Sequence, residues 1–187
     1  MSQILRRGFI AASLLSLFAL AAPVIGAEKT EDQLIADLDS PKATVVSSAL
    51  QKLEKEYPGS TKALPKIKQL LTDNRPEVRR KAARVIGVLH AEVSSDDLKN
   101  IVAMFKGSSD EQIDALKSLR GLKAQSTIPD ILAMLKSPTP NVIRDACRTL
   151  AVLGNKDTIP SIEPLLNHPN AAVKKDAQDA IFTLKNR

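Results

Sequence analysis

Few side chains in this sequence carry reactive chemistry. The two histidines, His90 and His168, fall in different stretches, each near a helix end or turn. A metal site needs several convergent ligands, so each reads as an isolated surface histidine. Cys147 is the single cysteine, which rules out an internal disulfide and any multi-cysteine zinc or iron–sulfur site. It sits beside Ala146 in an apolar helical stripe and reads as a small packing residue rather than a reactive thiol. There is no glycine-rich phosphate loop, and no Asp or Glu pair can be singled out as an acid/base couple. The expectation is a non-enzyme with no catalytic residue, no metal and no cofactor.

The polar pattern worth following is basic. Arg80 and Arg84, Arg144 and Arg148, and Lys175 recur two and six residues after a valine. On a helix such i, i+4 residues share one face and point away from the apolar stripe. Stacked helices would line them up as a broken basic column, interrupted at Ser47/Gln51, at Asp114/Ser118 and by Asp179 after Lys175. Either the column binds an acidic partner, or it is a solvated face of internal ion pairs, as Arg144-Asp145 and Lys175-Asp176 hint. A partner, if it binds one, is a protein patch, a polyanion or an anionic lipid headgroup.

The elements that carry these residues are helical hairpins. Ile128 to Leu135 is an apolar-periodic run. A Ser137-Pro138-Thr139-Pro140 break follows, then Val142, Ala146, Leu150 and Leu153 at helical spacing. One such hairpin cannot bury both apolar faces alone and must stack on copies of itself. Placing the first-helix starts at Glu31, Leu64, Leu98, Ile128 and Ile159 gives spacings of 33, 34, 30 and 31 residues. Pro65, Pro129 and Pro160 follow three of these starts, where a missing N–H is tolerated. Pro41, Pro138 and Pro169 stop three of the first helices. In the second helices, Val45, Val78, Val142 and Val173 are followed four residues on by Ala49, Ala82, Ala146 and Ala177. Leu53, Ile86, Leu150 and Ile181 come four residues after those. That is a narrow stripe whose alanines let neighbouring helices approach closely.

The third copy departs. Gln112, Leu116 and Arg120 occupy the Val, Ala and Leu places, and Ser109-x-x-Gln112 reads as a capping box. This is either a local shift of register or the drift of a degenerate repeat.

Val142-Ile143-Arg144-Asp145-Ala146, running on to Leu150 and Leu153-Gly154, resembles the second helix of a HEAT repeat, as does Asp73-x-x-x-x-Val78-Arg79-x-x-x-Ala82. The short period is similar to the HEAT-like repeats of the bilin-lyase type, and the resemblance covers about Thr30 to Leu184. It implies an all-α fold, an α/α superhelical solenoid of about five stacked HEAT-like hairpins. The repeats lie near 31–63, 64–97, 98–127, 128–158 and 159–187. In that family the Asp and Arg of the repeat link adjacent turns, and only Asp73 and Arg79 match the pair here. HEAT-type hydroxylases hold iron with His-Glu dipeptides, but His90 is followed by Ala91 and His168 by Pro169.

Residues 1–27 have the parts of a secretory signal: Arg6 and Arg7, an apolar run from Phe9 to Ala22, Pro23, then Gly26 and Ala27. Cleavage is expected after Ala27, with Gly26 the other position. Arg6-Arg7 also partly resembles a twin-arginine export signal, with Leu5 and Ala11 off the pattern. The run is too short for a comfortable membrane span. The expected location is periplasmic or secreted, with residues 28–187 as the repeat array. The remaining chain has 25 basic and 21 acidic residues, no Trp and one Tyr. That mild charge and aromatic scarcity argue against a nucleic-acid binder and against a large conjugated-ligand site. The expected role is a non-catalytic protein-binding scaffold or adaptor. The alternatives are a bilin-lyase-like enzyme and a HEAT-like nucleic-acid-binding protein.

Overall fold

The computed structural model describes residues 28–187; the leader and its cleavage point lie outside them. Ten α-helices follow one another among the described residues: α1 (Glu31–Asp37), α2 (Ala43–Glu56), α3 (Leu64–Gln69), α4 (Pro76–Val88), α5 (Ser95–Ala103), α6 (Ser109–Gly121), α7 (Ile128–Met134), α8 (Pro140–Leu153), α9 (Ile159–Ile162) and α10 (Ala171–Lys185). There is no strand among them. The fold is the expected all-helical solenoid. Odd-numbered helices are short, and three of them tighten into 3-10 turns at Leu70–Thr72, Met104–Lys106 and Glu163–Asn167. Even-numbered helices are longer and pack directly on one another, α2 on α4, α4 on α6, α6 on α8, α8 on α10. Each odd helix packs against the even helix that follows it, so the even helices form one continuous layer, here called the inner wall.

Local signals explain the helix ends. Pro65, Pro129 and Pro160 lie in the first turns of α3, α7 and α9, and Pro76 and Pro140 open α4 and α8. Thr30 and Gln33 close a capping box on α1. In the third repeat the first helix begins at Ser95, three residues before the expected Leu98. Ser94 and Asp97 form a capping box there, and the repeat, like the first, lacks the proline that marks the other three starts.

The third repeat is also shifted by one residue rather than degenerate. Ser108, not Ser109, is the cap of α6, and its box closes with Glu111, not Gln112. The buried stripe is then Glu111, Ala115 and Leu119, in the places of Val78, Ala82 and Ile86 or Val142, Ala146 and Leu150. With that shift, one unbroken apolar core runs through all five hairpins. In the first repeat, which has no repeat before it among the described residues, Val46 is buried while Val45 is only half-buried.

Helices α4 and α6 approach closely. Gly87 sits against the Cα of Ser118, which a Cβ would meet at 2.6 Å, and a Cβ on Gly121 would strike the Gly87 carbonyl. The Ser118 hydroxyl donates to the Ala83 carbonyl at 2.7 Å across the same seam. Both helices end in a left-handed residue, His90 at φ 48° and Lys123 at φ 53°. The next N–H folds back in each case, Ala91 to Ile86 and Ala124 to Leu119.

Candidate functional site: the inner face of the even-numbered helices

With the register corrected, the exposed face of the inner wall reads differently. At 100° per residue, positions two and six after the stripe's first residue point away from the core. Position six is Gln51 in α2, Arg84 in α4, Lys117 in α6, Arg148 in α8 and Asp179 in α10. The expected gap at Ser118 does not exist. Ser118 is buried in the α4–α6 seam, and exposed Lys117 stands in the row instead. Position two is Ser47, Arg80, Ile113, Arg144 and Lys175, so that row does break at the third repeat.

Each cation of the expected column has a carboxylate partner, and most partners belong to a neighbouring repeat. Arg84 reaches Glu54 at 2.8 Å. Arg80 meets Asp114 at 2.8 Å and Asp110 at 3.2 Å. Arg144 and Arg148 converge on Asp176 at 2.7 and 3.1 Å. Arg120 stands 3.9 Å from Asp145. Lys175 alone pairs within its own helix, with Asp179 at 2.9 Å. Arg79 carries a further crossing, donating to Glu111 at 2.6 Å and to the Asp73 carbonyl at 2.7 Å. The linked pair expected of Asp73 and Arg79 is thus redistributed. Arg75 takes both Asp73 carboxylate oxygens and reaches back to the Ser40 and Pro41 carbonyls of the first repeat. Sequence reading missed this ladder because its acids, Glu54, Asp114, Asp145 and Asp176, are about 30 residues from their partners.

At Arg84 and Arg148 the two signs are layered, unlike Arg80–Asp110 and Lys175–Asp179, whose acids are 66% and 61% exposed. Arg84 and Arg148 side chains are 42% and 45% exposed, whereas their partners Glu54 and Asp176 are 16% and 11% exposed. The carboxylates lie sunk between helices and orient the guanidiniums from below. Arg84 uses one terminal nitrogen on Glu54, which leaves other N–H donors facing outward. Lys117 is exposed and forms no ion pair among the described residues. Lys81 is half-buried beside this row. Burial, reinforced by the Arg84 charge, holds its ammonium below the ordinary lysine range. The outward face therefore carries excess positive charge, since Arg144 and Arg148 share the single Asp176 carboxylate and Lys117 has no ion-pair partner among the described residues.

The groups considered for chemistry are dispersed. His90 donates from Nδ1 to the Gly121 carbonyl at 2.6 Å, while His168 accepts at Nδ1 from the Asn170 N–H at 3.0 Å. Cys147 is buried in α8, and burial, with the Asp176 charge adding to it, pushes its thiol up to about 12. No cluster of three or more His, Cys, Asp or Glu suited to a metal ion occurs among the described residues. No described helix is long and apolar enough to cross a membrane.

Comparison with known proteins agrees with the geometry. Residues 101–181 match the family described as HEAT repeats, and residues 63–92 match the HEAT repeat. The complex of CpcE and CpcF of phycocyanin lyase from Nostoc sp. contains a chain similar in fold, with a TM-score of 0.73 and 21% identity, covering 89% of this chain and 69% of that one. An engineered protein superposes with a TM-score of 0.56 at 16% identity over 85% of this chain and 98% of its own. A chain from the structure of microtubule plus-end tracking by XMAP215, CLIP-170 and EB1 does so at 0.51 and 18% identity, over 81% and 76%. Among curated proteins no sequence matches. At these identities the likeness shows the fold alone. The matched stretches, 63–92 and 101–181, are HEAT repeats, and the chain that carries them is an α-solenoid of that kind.

Proposed function

We propose that this chain is a non-catalytic scaffold or adaptor that engages an acidic surface of a protein partner through the exposed face of α4, α6 and α8. The observation that carries this reading is the layering of sunken carboxylates under outward cations, Glu54 under Arg84 and Asp176 under Arg148. A merely solvated ion-pair face would expose both signs alike, as Lys175 and Asp179 do at the fifth repeat. Here side-chain freedom is already lost in the unbound protein, which lowers the entropy a partner must overcome. The scarcity of aromatics on the chain, one Tyr, four Phe and no Trp, favours a protein over stacked bases or a conjugated pigment. The leader sequence supports export, so the partner is sought in the envelope fraction or outside the cell.

The test is capture from that fraction by the mature chain, read by mass spectrometry, before and after charge reversal at Arg80, Arg84, Arg144 and Arg148. Loss of a specific protein is the expected result; because reversal sets like charges against Glu54, Asp114 and Asp176 and lowers the thermal transition, Lys117→Glu, which breaks no ion pair, is run beside it and should weaken the same capture with the transition retained. Unchanged capture would retire the proposal. N-terminal sequencing of the protein recovered from cell fractions tests export, with Glu28 expected as the first residue.

A further inference from the structure

The row Arg84, Lys117, Arg148 has a defined spacing, and that spacing limits what can lie on it. The three side chains occupy one structural position on three successive inner helices. Packed helices are about 8–10 Å apart, and extended chain rises about 3.3 Å per residue, so one helix step matches three residues. Arg84 leans toward Glu54 of the first repeat and Arg148 toward Asp176 of the fifth, which widens the row toward four residues. Lys117, between them, has no carboxylate partner among the described residues, and Arg148 shares its partner with Arg144.

We infer that the ligand of this face is an extended acidic segment of a protein, bearing a carboxylate at every third or fourth residue, laid across α4, α6 and α8 with its central acid on Lys117. The inference rests on the acidic-partner reading above and adds a register to it. A compact run of acids would crowd one helix and leave the outer two arginines unmatched. A helical ligand brings i, i+4 carboxylates only about 6 Å apart along its axis, short of the helix spacing, and reaches that spacing only with acids about seven residues apart. The neighbouring row reinforces the alignment. Ile113 replaces a cation in the third repeat's other exposed place, so at α6 Lys117 is the charge a ligand meets on these two rows.

The experiment uses the mature chain and fluorescein-labelled peptides of one composition, read by anisotropy at two salt concentrations. One peptide spaces three glutamates by two or three neutral residues; the other places them consecutively. The spaced peptide is expected to bind about three- to five-fold tighter, the size of one well-placed exposed pair. Lys117→Gln should erase that preference without moving the thermal transition, since Lys117 supports no contact in the fold. If both peptides bind equally in a salt-dependent way, the register falls and the acidic-partner reading stands. If neither binds, both fall. If oligo(dT) binds more tightly than either peptide, the ligand is a nucleic acid and the inference is overturned.

Discussion

The Glu111 carboxylate receives the Arg79 guanidinium at 2.6 Å, joining the second and third repeats at a place where the other second helices put valine. A carboxylate there is tolerated because it is doubly used. Its other oxygen accepts the Ser108 N–H and closes the cap of α6.

That double use makes the junction sensitive to acid. Burial alone would raise the Glu111 acid, but the Arg79 hydrogen bond, the Ser108 N–H and the charges of Arg79 and Arg80 together hold it below its ordinary value of 4.5. A group depressed in the folded state stabilises above its unfolded value and loses that contribution as pH falls through the folded one. The thermal midpoint should therefore decline below pH 4.5. Asp73, held down chiefly by Arg75, adds to the decline at lower pH. Glu111→Gln should lower stability at neutral pH by about 1.5–3 kcal/mol and flatten the acid limb. Urea titrations at several pH values would read both effects; parallel limbs for the two proteins would contradict this account.

Gly121→Ala tests the closeness of α4 and α6. Helix propensity favours alanine over glycine by about 1 kcal/mol. Against it, the new methyl would run into the Gly87 carbonyl, which is backbone and cannot swing away. Overpacking of this kind costs about 1–3 kcal/mol, so a net loss is expected. A gain in the urea midpoint would mean the helices can part freely.

Lys123→Gly should do the opposite. Lys123 holds φ 53° at the end of α6, a conformation glycine adopts without steric penalty. Part of the gain is offset by the greater freedom of glycine in the unfolded chain. The expected net is a stabilisation of about 0.5–1 kcal/mol, measurable as a shift in midpoint with an unchanged denaturant slope. His90 is the parallel case in α4, but its ring is bonded to the Gly121 carbonyl, so glycine there should gain less.

Leu150 lies fully buried in the middle of the stripe. Leu150→Ala is expected to cost about 2–5 kcal/mol in equilibrium denaturation. A loss under about 1 kcal/mol would remove it from the core.

These residues also mark how far sequence alone could reach. The Val, Ala and Leu columns were legible because periodic burial writes itself into residue type. The slip in the third repeat was not, since Ser108 and Ser109 are each followed three residues later by a residue able to close a box, Glu111 and Gln112. The deciding term, Arg79 on Glu111, comes from 32 residues away. For the same reason Lys117 was passed over and Ser118 placed in its row. The basic residues were legible as a pattern, but their sunken partners were not, because Asp176 meets Arg144 and Arg148 only after the repeats have stacked.

Cys147 offers a reporter of how the array opens. Burial, with the charge of Asp176 added, raises its thiol to about 12. At pH 8 that leaves a thiolate fraction of about one in ten thousand, and the sulfur is closed off from solvent besides. In native buffer a thiol reagent should therefore leave it untouched for hours. A stacked array is held by nearest-neighbour contacts, so its ends can fray before its centre. Cys147 faces the seam between α8 and α10. If α10 detaches first, labelling will rise at lower urea than the loss of helical signal. If the five repeats unfold together, the two transitions will coincide. Rapid labelling without denaturant would show that the α8–α10 seam is open in the native protein, and that Asp176 is not pinned there by Arg144 and Arg148.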